Sequence, residues 1–169
     1  MFIAEDGTGL SEANSAVTVE FADSYFSVRN IEKWLDLDLT EKQVALVKGT
    51  DYAETKYGTK LSKFKRLRNE QSLQFPKVGF MFQGSLLTGT PVTWKKAVCE
   101  YALISISQEL FADIQTQDRE INSKEVTVGP ITTKTSYSDN ASNNFRNYPS
   151  ADRLADLVVA SNFSGRVLR

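Results

Sequence analysis

The stretch from Thr90 to about residue 114 limits the fold more than any other part of the chain. Trp94, Ala97, Val98, Tyr101, Ala102, Leu103, Ile104, Ile106, Leu110 and Phe111 recur at helical spacing, on a stripe too wide for a single face. Such a helix is stable in water only when covered on two sides, so the rest of the chain must supply elements that pack around it. Thr90-Pro91 marks its start, because proline at the first helical position gives up no needed hydrogen bond and threonine can cap. The expectation is a mainly α fold, a small helical bundle built on one long central helix.

The partners of that helix are legible. Thr18 is placed to cap a short helix carrying Phe21, Ala22, Tyr25 and Phe26, and Ile31, Trp34 and Leu35 continue its apolar stripe. Thr40-Glu41-Lys42-Gln43 fits a capping box, which predicts a helix to about residue 57, with Gly58 as its stop. Leu154, Leu157 and Val158 are in phase for a last helix over 151–160. Between these lies a run of alternating β-branched and polar residues around Gly129-Pro130, which predicts a β-hairpin near residues 125–137. A lone hairpin is marginal in water, so it is expected to pack on the helices or on neighbouring subunits. The ends read as irregular terminal arms: an N-terminal arm over 1–17, then a helical domain over 18–160 that includes the hairpin, then a tail over 161–169. The 41% of hydrophobic residues in 169 is enough for one core.

Chemistry is bounded mainly by what is missing. No histidine is present, which removes the commonest general base, the Ser-His-Asp and Cys-His arrangements and the usual mixed zinc sites. A single cysteine, Cys99, removes thiolate clusters and internal disulfides. Asp36, Asp38, Glu41, Asp113, Asp118 and Glu120 form no recognisable carboxylate motif and are expected on solvated surface. Asp6-Gly7-Thr8-Gly9 lacks the Lys-Ser/Thr end of a phosphate loop and reads as a turn. No catalytic residue, metal site or cofactor is therefore expected, and the chain is not read as an enzyme. No apolar run reaches membrane-spanning length, and Glu5 and Asp6 follow Met1-Phe2-Ile3-Ala4 where a signal peptide would be apolar; a cytosolic protein is the expectation.

Twenty basic residues balance twenty-one acidic ones, so any attraction to nucleic acid must come from local clustering. One cluster stands out: Lys56, Lys60, Lys63, Lys65, Arg66 and Arg68, with no acid among them and with Tyr57 and Phe64 interleaved. Cations that neutralise a backbone beside rings that stack on bases are the means of a single-strand binder. Lys60, Lys63, Lys65, Arg66 and Arg68 are accordingly the candidate DNA or partner contacts, against a solvated loop or one that meets an acidic partner. Trp34 and Trp94 could serve as stacking platforms, but their helical phase favours the core.

Taken in order, several short segments resemble a family of tailed bacteriophages found among head and neck genes and often labelled DnaT-like single-strand DNA-binding protein. They include Glu5-Asp6-Gly7-Thr8-Gly9, Ala13-Asn14-Ser15, Phe21-Ala22-Asp23-Ser24-Tyr25-Phe26, Tyr57-Gly58 and Gln71-Ser72-Leu73-Gln74-Phe75-Pro76-Lys77-Val78-Gly79. Lys96-Ala97-Val98, Val128-Gly129-Pro130 and Gly165-Arg166-Val167-Leu168-Arg169 complete the resemblance. It implies a head-to-tail connector or adaptor, a structural subunit of the virion neck assembled in the host bacterial cytoplasm. Its implied partners are further copies of itself in a ring, a dodecamer in that family, the portal protein, downstream neck or tail proteins, and DNA passing non-specifically through the channel. In that setting Arg166, Val167, Leu168 and Arg169 are the candidate contact to portal or neighbour. The alternative is a single-stranded DNA-binding accessory protein of phage replication.

Overall fold

The computed structural model describes residues 1–111, 123–128, 131–136 and 145–160, with the two middle segments described as backbone. Among them are five helices: α1 (Val19–Ser27), α2 (Glu32–Leu35), α3 (Leu39–Leu61), α4 (Val92–Ser105) and α5 (Pro149–Ala160). The mainly helical expectation is met. The chain divides into two compact units, residues 1–110 with 147–169, and residues 111–146.

In the first unit α4 lies against both α3 and α5, so the segment with the widest apolar stripe is the central one. Trp94, Ala97, Val98, Cys99, Tyr101 and Ala102 are all fully buried along it. Its approach to α3 is close because Gly49 faces it. A Cβ at Gly49 would stand 2.7 Å from both the amide nitrogen of Ala102 and the carbonyl oxygen of Val98. Tyr52 of α3, Tyr101 of α4 and Tyr148, just ahead of α5, stack their rings with centroids 5.0 to 6.2 Å apart.

One polar cluster ties these three helices. Asp152 of α5 accepts from Lys56 Nζ at 2.7 Å, from Tyr57 Oη at 3.4 Å and from Tyr101 Oη, and its other oxygen accepts from the Tyr148 amide at 2.8 Å. Burial and the bond to this carboxylate push the Tyr101 phenol far above its ordinary range, which keeps it a donor. On the other side, α1 is held to α4 by Tyr25 Oη donating to Glu100 at 2.6 Å, while Trp34 of α2 packs on Phe26 at 4.7 Å and donates to Asp23 at 2.8 Å. Both tryptophans are fully buried, in line with their helical phase.

Residues 1–17 contain no helix or strand, and they are strapped down. Glu5 is 2% exposed, and its carboxylate accepts from the amides of Gly7 (2.9 Å), Gly9 (2.8 Å) and Leu10 (2.9 Å). Ala4 bridges Ser15 in parallel, and the Ala16 amide donates to Thr50 of α3 at 3.1 Å. With Ala13, Ala16 and Val17 also buried, this segment belongs to the core. Glu5→Ala leaves three amides without their acceptor, so a loss of about 2 kcal/mol is expected, with faster hydrogen exchange at Gly7, Gly9 and Leu10. Unchanged exchange at those amides would show that the strap does not depend on Glu5.

Five expectations are corrected. The longest helix is α3, with 23 residues against 14 in α4. Its capping box is Asp38 with Glu41 and not Thr40 with Gln43. Gly58 does not stop it, because Tyr57 and Leu61, one turn apart, are both buried and hold the last turn against a glycine cost of about 1 kcal/mol. The helix α4 ends at Ser105, well short of residue 114; Ser105 and Ser107 turn their hydroxyls onto the carbonyls of Ala102 and Ile104, which competes with helix continuation. Pro91 is its cap residue, and Thr90 makes no capping bond.

A small hairpin absent from the sequence reading pairs β1 (Met81–Phe82) with β2 (Ser85–Leu86) through Gln83 and Gly84, both at positive φ, as its tight turn needs. In the second unit, β3 (Ser123–Val128) and β4 (Ile131–Ser136) form the expected antiparallel hairpin, with Val128 opposite Ile131 and Ser123 opposite Ser136.

Candidate nucleic-acid interface

The segment between α3 and α4, which carries most of the basic cluster, is a loop organised around one side chain. Gln71 is 2% exposed. Its Nε2 lies 2.8, 3.3 and 3.1 Å from the carbonyls of Leu73, Gln74 and Pro76, so two N–H donors are shared among three acceptors; its Oε1 accepts from the Arg68 amide at 3.0 Å. The loop closes where Arg66 bridges Lys77 in antiparallel fashion, with Leu67 and Val78 amides bonded across it. Leu73, Phe75 and Phe80 fill its inner side, and Phe75, joined to Pro76 by a cis peptide bond, packs on Trp94 at 5.5 Å.

This folding opens a cleft of about 370 Å³ lined by Phe64, Lys65, Arg66, Asn69, Gln74 and Lys77. Three cations converge there. Arg66 is steadied by donating from Nη1 to the Gln71 carbonyl at 3.1 Å. Lys77 is only 4% exposed and donates to the Phe64 carbonyl at 3.1 Å and to Gln74 Oε1 at 2.7 Å. Burial lowers its ammonium to about 8, and the Arg66 guanidinium pushes the same way. Behind the wall sits Glu54 of α3, with one oxygen accepting from the Gln74 amide at 2.7 Å and the other buried without a hydrogen-bond partner. Burial pushes its carboxyl up to about 7, against the opposing pull of Lys77 and Arg66.

Of the five cations singled out from sequence, Lys65 and Arg66 line the cleft. Lys60 sits in the last turn of α3 with its ammonium 5.3 Å from the Tyr57 ring centroid; Lys63 follows, exposed, outside the lining. Arg68 is exposed and turned towards the N-terminal strap, where its side chain would touch a Cβ at Gly9 at 3.4 Å. Arg166, Val167, Leu168 and Arg169 lie outside the described residues. Lys77 and Glu54 were missed as members of this site. The signal for them was Gln71 and Phe75-Pro76 within a charged stretch: a polar residue that folds the loop back and brings position 77 beside position 66.

Among the described residues no group of His, Cys, Asp or Glu is arranged to hold a metal ion, and no helix is long and apolar enough to cross a membrane. Cys99 is buried, and burial raises its thiol far above the ordinary range, so it is an unreactive core residue. Fold and site together define a small, mainly helical protein with a cationic cleft beside an aromatic ring. Over its whole length, residues 1–169, the chain matches the model of the family described as "Putative DnaT-like ssDNA binding protein", and it belongs to that family. No curated protein and no solved structure matches it.

Proposed function

We propose that this protein is non-catalytic and binds single-stranded DNA, holding the backbone on the cleft between α3 and α4. The convergence of Lys65, Arg66 and Lys77 beside Phe64 carries this reading. Clustered cations favour phosphates through counterion release, and an aromatic ring at the cleft gives a base a surface to stack on without sequence preference. The family description supports the same class of ligand. The test is anisotropy of a labelled oligo(dT) strand against its duplex over a range of salt. Lys65→Gln is expected to weaken binding about threefold to tenfold and to reduce the salt slope by about 0.7. An unchanged affinity and slope would remove the cleft from the binding surface.

A second reading, the head-to-tail adaptor of a tailed bacteriophage, is favoured by a different observation. A groove of about 190 Å³ runs along Leu37, Val44, Ala45 and Ile106, with Val44 left 49% exposed and Leu39, nearby in sequence, 62% exposed. Apolar surface of this kind suits a neighbouring copy in a ring under the portal. In that reading the cleft meets passing DNA without regard to strandedness, and the tail from residue 163 docks on portal or neighbour. Deleting 163–169 is then expected to impair assembly with portal, seen by negative-stain microscopy, while the monomer stays folded; normal particles would refute the tail's role. Preference for single strand over duplex favours the first reading, and equal, weak binding to both favours the second.

A further inference from the structure

The cleft holds more than surface charge, because it has a buried ionisable floor. Glu54 on α3 bonds the Gln74 amide; Gln74 Oε1 bonds Lys77; Lys77 bonds the Phe64 carbonyl, and Phe64, Gln74 and Lys77 all line the cleft. A carboxyl and an ammonium are thus wired to the same wall within three hydrogen bonds. One Glu54 oxygen, buried and without a partner, is poorly placed to carry negative charge. The charged groups acting on it are Asp51 from its own helix, and Lys77 and Arg66 from the loop; none comes from α4.

We propose that this cleft seats a single phosphate group of a polynucleotide backbone and takes up a proton when it does so. The inference rests on the DNA-binding reading above and adds its coupling to pH. A phosphodiester entering beside Lys65, Arg66 and Lys77 brings a fixed negative charge. That charge favours the ammonium form of Lys77 and disfavours the carboxylate form of Glu54, and both changes add a proton. The sign follows directly: with Glu54 at about 7 and Lys77 at about 8, anion affinity is highest below about pH 6.5 and falls as pH rises through both values. The chain contains no histidine, the side chain that ordinarily titrates in this range, so the side chains at the cleft able to take up a proton there are this pair. Asn69 supplies a neutral donor at the rim of the cleft.

The experiment is titration of the full chain with oligo(dT), whose thymines and phosphodiesters hold their charge over the window used. Anisotropy at about pH 6.5, 7.5 and 8.5 is combined with calorimetry at about pH 7.5 in two buffers of different ionisation enthalpy. Affinity is expected to fall roughly tenfold across the window, with uptake of up to about one proton per site. Glu54→Gln is expected to flatten the lower half of the profile and Lys77→Arg the upper half, each with reduced uptake, and melting curves verify that both variants are folded. Binding by the wild type that is indifferent to pH, or that takes up no proton, overturns this inference and leaves the DNA-binding reading intact. A profile unchanged in both variants overturns it as well. Absence of oligo(dT) binding at every pH overturns the DNA-binding reading itself, and the inference falls with it.

Discussion

Gly49→Ala is expected to destabilise the fold by about 3 kcal/mol, although alanine is the better helix former by about 1 kcal/mol. The reason is what the new methyl group meets. Val98 O and Ala102 N, each 2.7 Å away, are backbone atoms of α4 and cannot rotate aside as a side chain could. Relief requires α4 to withdraw from α3, and α4 also carries α5 on another side and Tyr25 of α1 through Glu100. The displacement is therefore felt across the first unit. Thermal unfolding followed by circular dichroism is expected to show a fall of roughly 6–12 °C. A melting temperature within about 2 °C of the wild type would mean that the two helices are not in backbone contact at Gly49.

Asp152→Ala is expected to cost about 3–5 kcal/mol, because it removes the acceptor on which α3, α4 and the start of α5 converge and leaves the Lys56 ammonium without this carboxylate at a site where the lysine side chain is 13% exposed. The Tyr57 and Tyr101 hydroxyls and the Tyr148 amide lose an acceptor at the same time. Adding Lys56→Met to the alanine variant is expected to restore at least about 1 kcal/mol, since an ammonium kept in this little-exposed site after the loss of Asp152 is a large part of the cost. Chemical denaturation of the two single variants and the double variant measures the coupling directly. Strict additivity would show that the ion pair contributes nothing and that the loss comes from the other donors to Asp152 and from packing.

Sequence reading recovered what is local. Thr18 caps α1, and its side chain accepts from the Phe21 amide at 3.3 Å. Phe26, Trp34, Trp94 and Tyr101 repeat with helical phase, and each is fully buried. It failed where two local patterns competed or where distant pieces decided. Asp38 with Glu41 and Thr40 with Gln43 both spell a capping box two residues apart, and only the packed structure distinguishes them. Gly58 is a stop signal overridden by the burial of Tyr57 and Leu61. At the cleft, Lys65 and Arg66 were legible as part of a basic run, whereas Lys77 joins them only because Gln71 folds the loop, and Glu54 only because α3 passes beneath. Charge along a chain is visible in sequence; its convergence in space is not.

The amide of Gln71 has one more implication. Since the carbonyls of Leu73, Gln74 and Pro76 are gathered onto it from within, and Phe75 is anchored on Trp94, the outline of the cleft is set by groups turned away from any ligand. The rim is then a replaceable layer on a fixed frame: Lys65 and Asn69 can be exchanged for other charges or sizes without reshaping the opening. Grip strength and grip geometry are separate variables in such a loop, and a binder of altered affinity or ligand charge could be obtained from this chain by rewriting its rim alone.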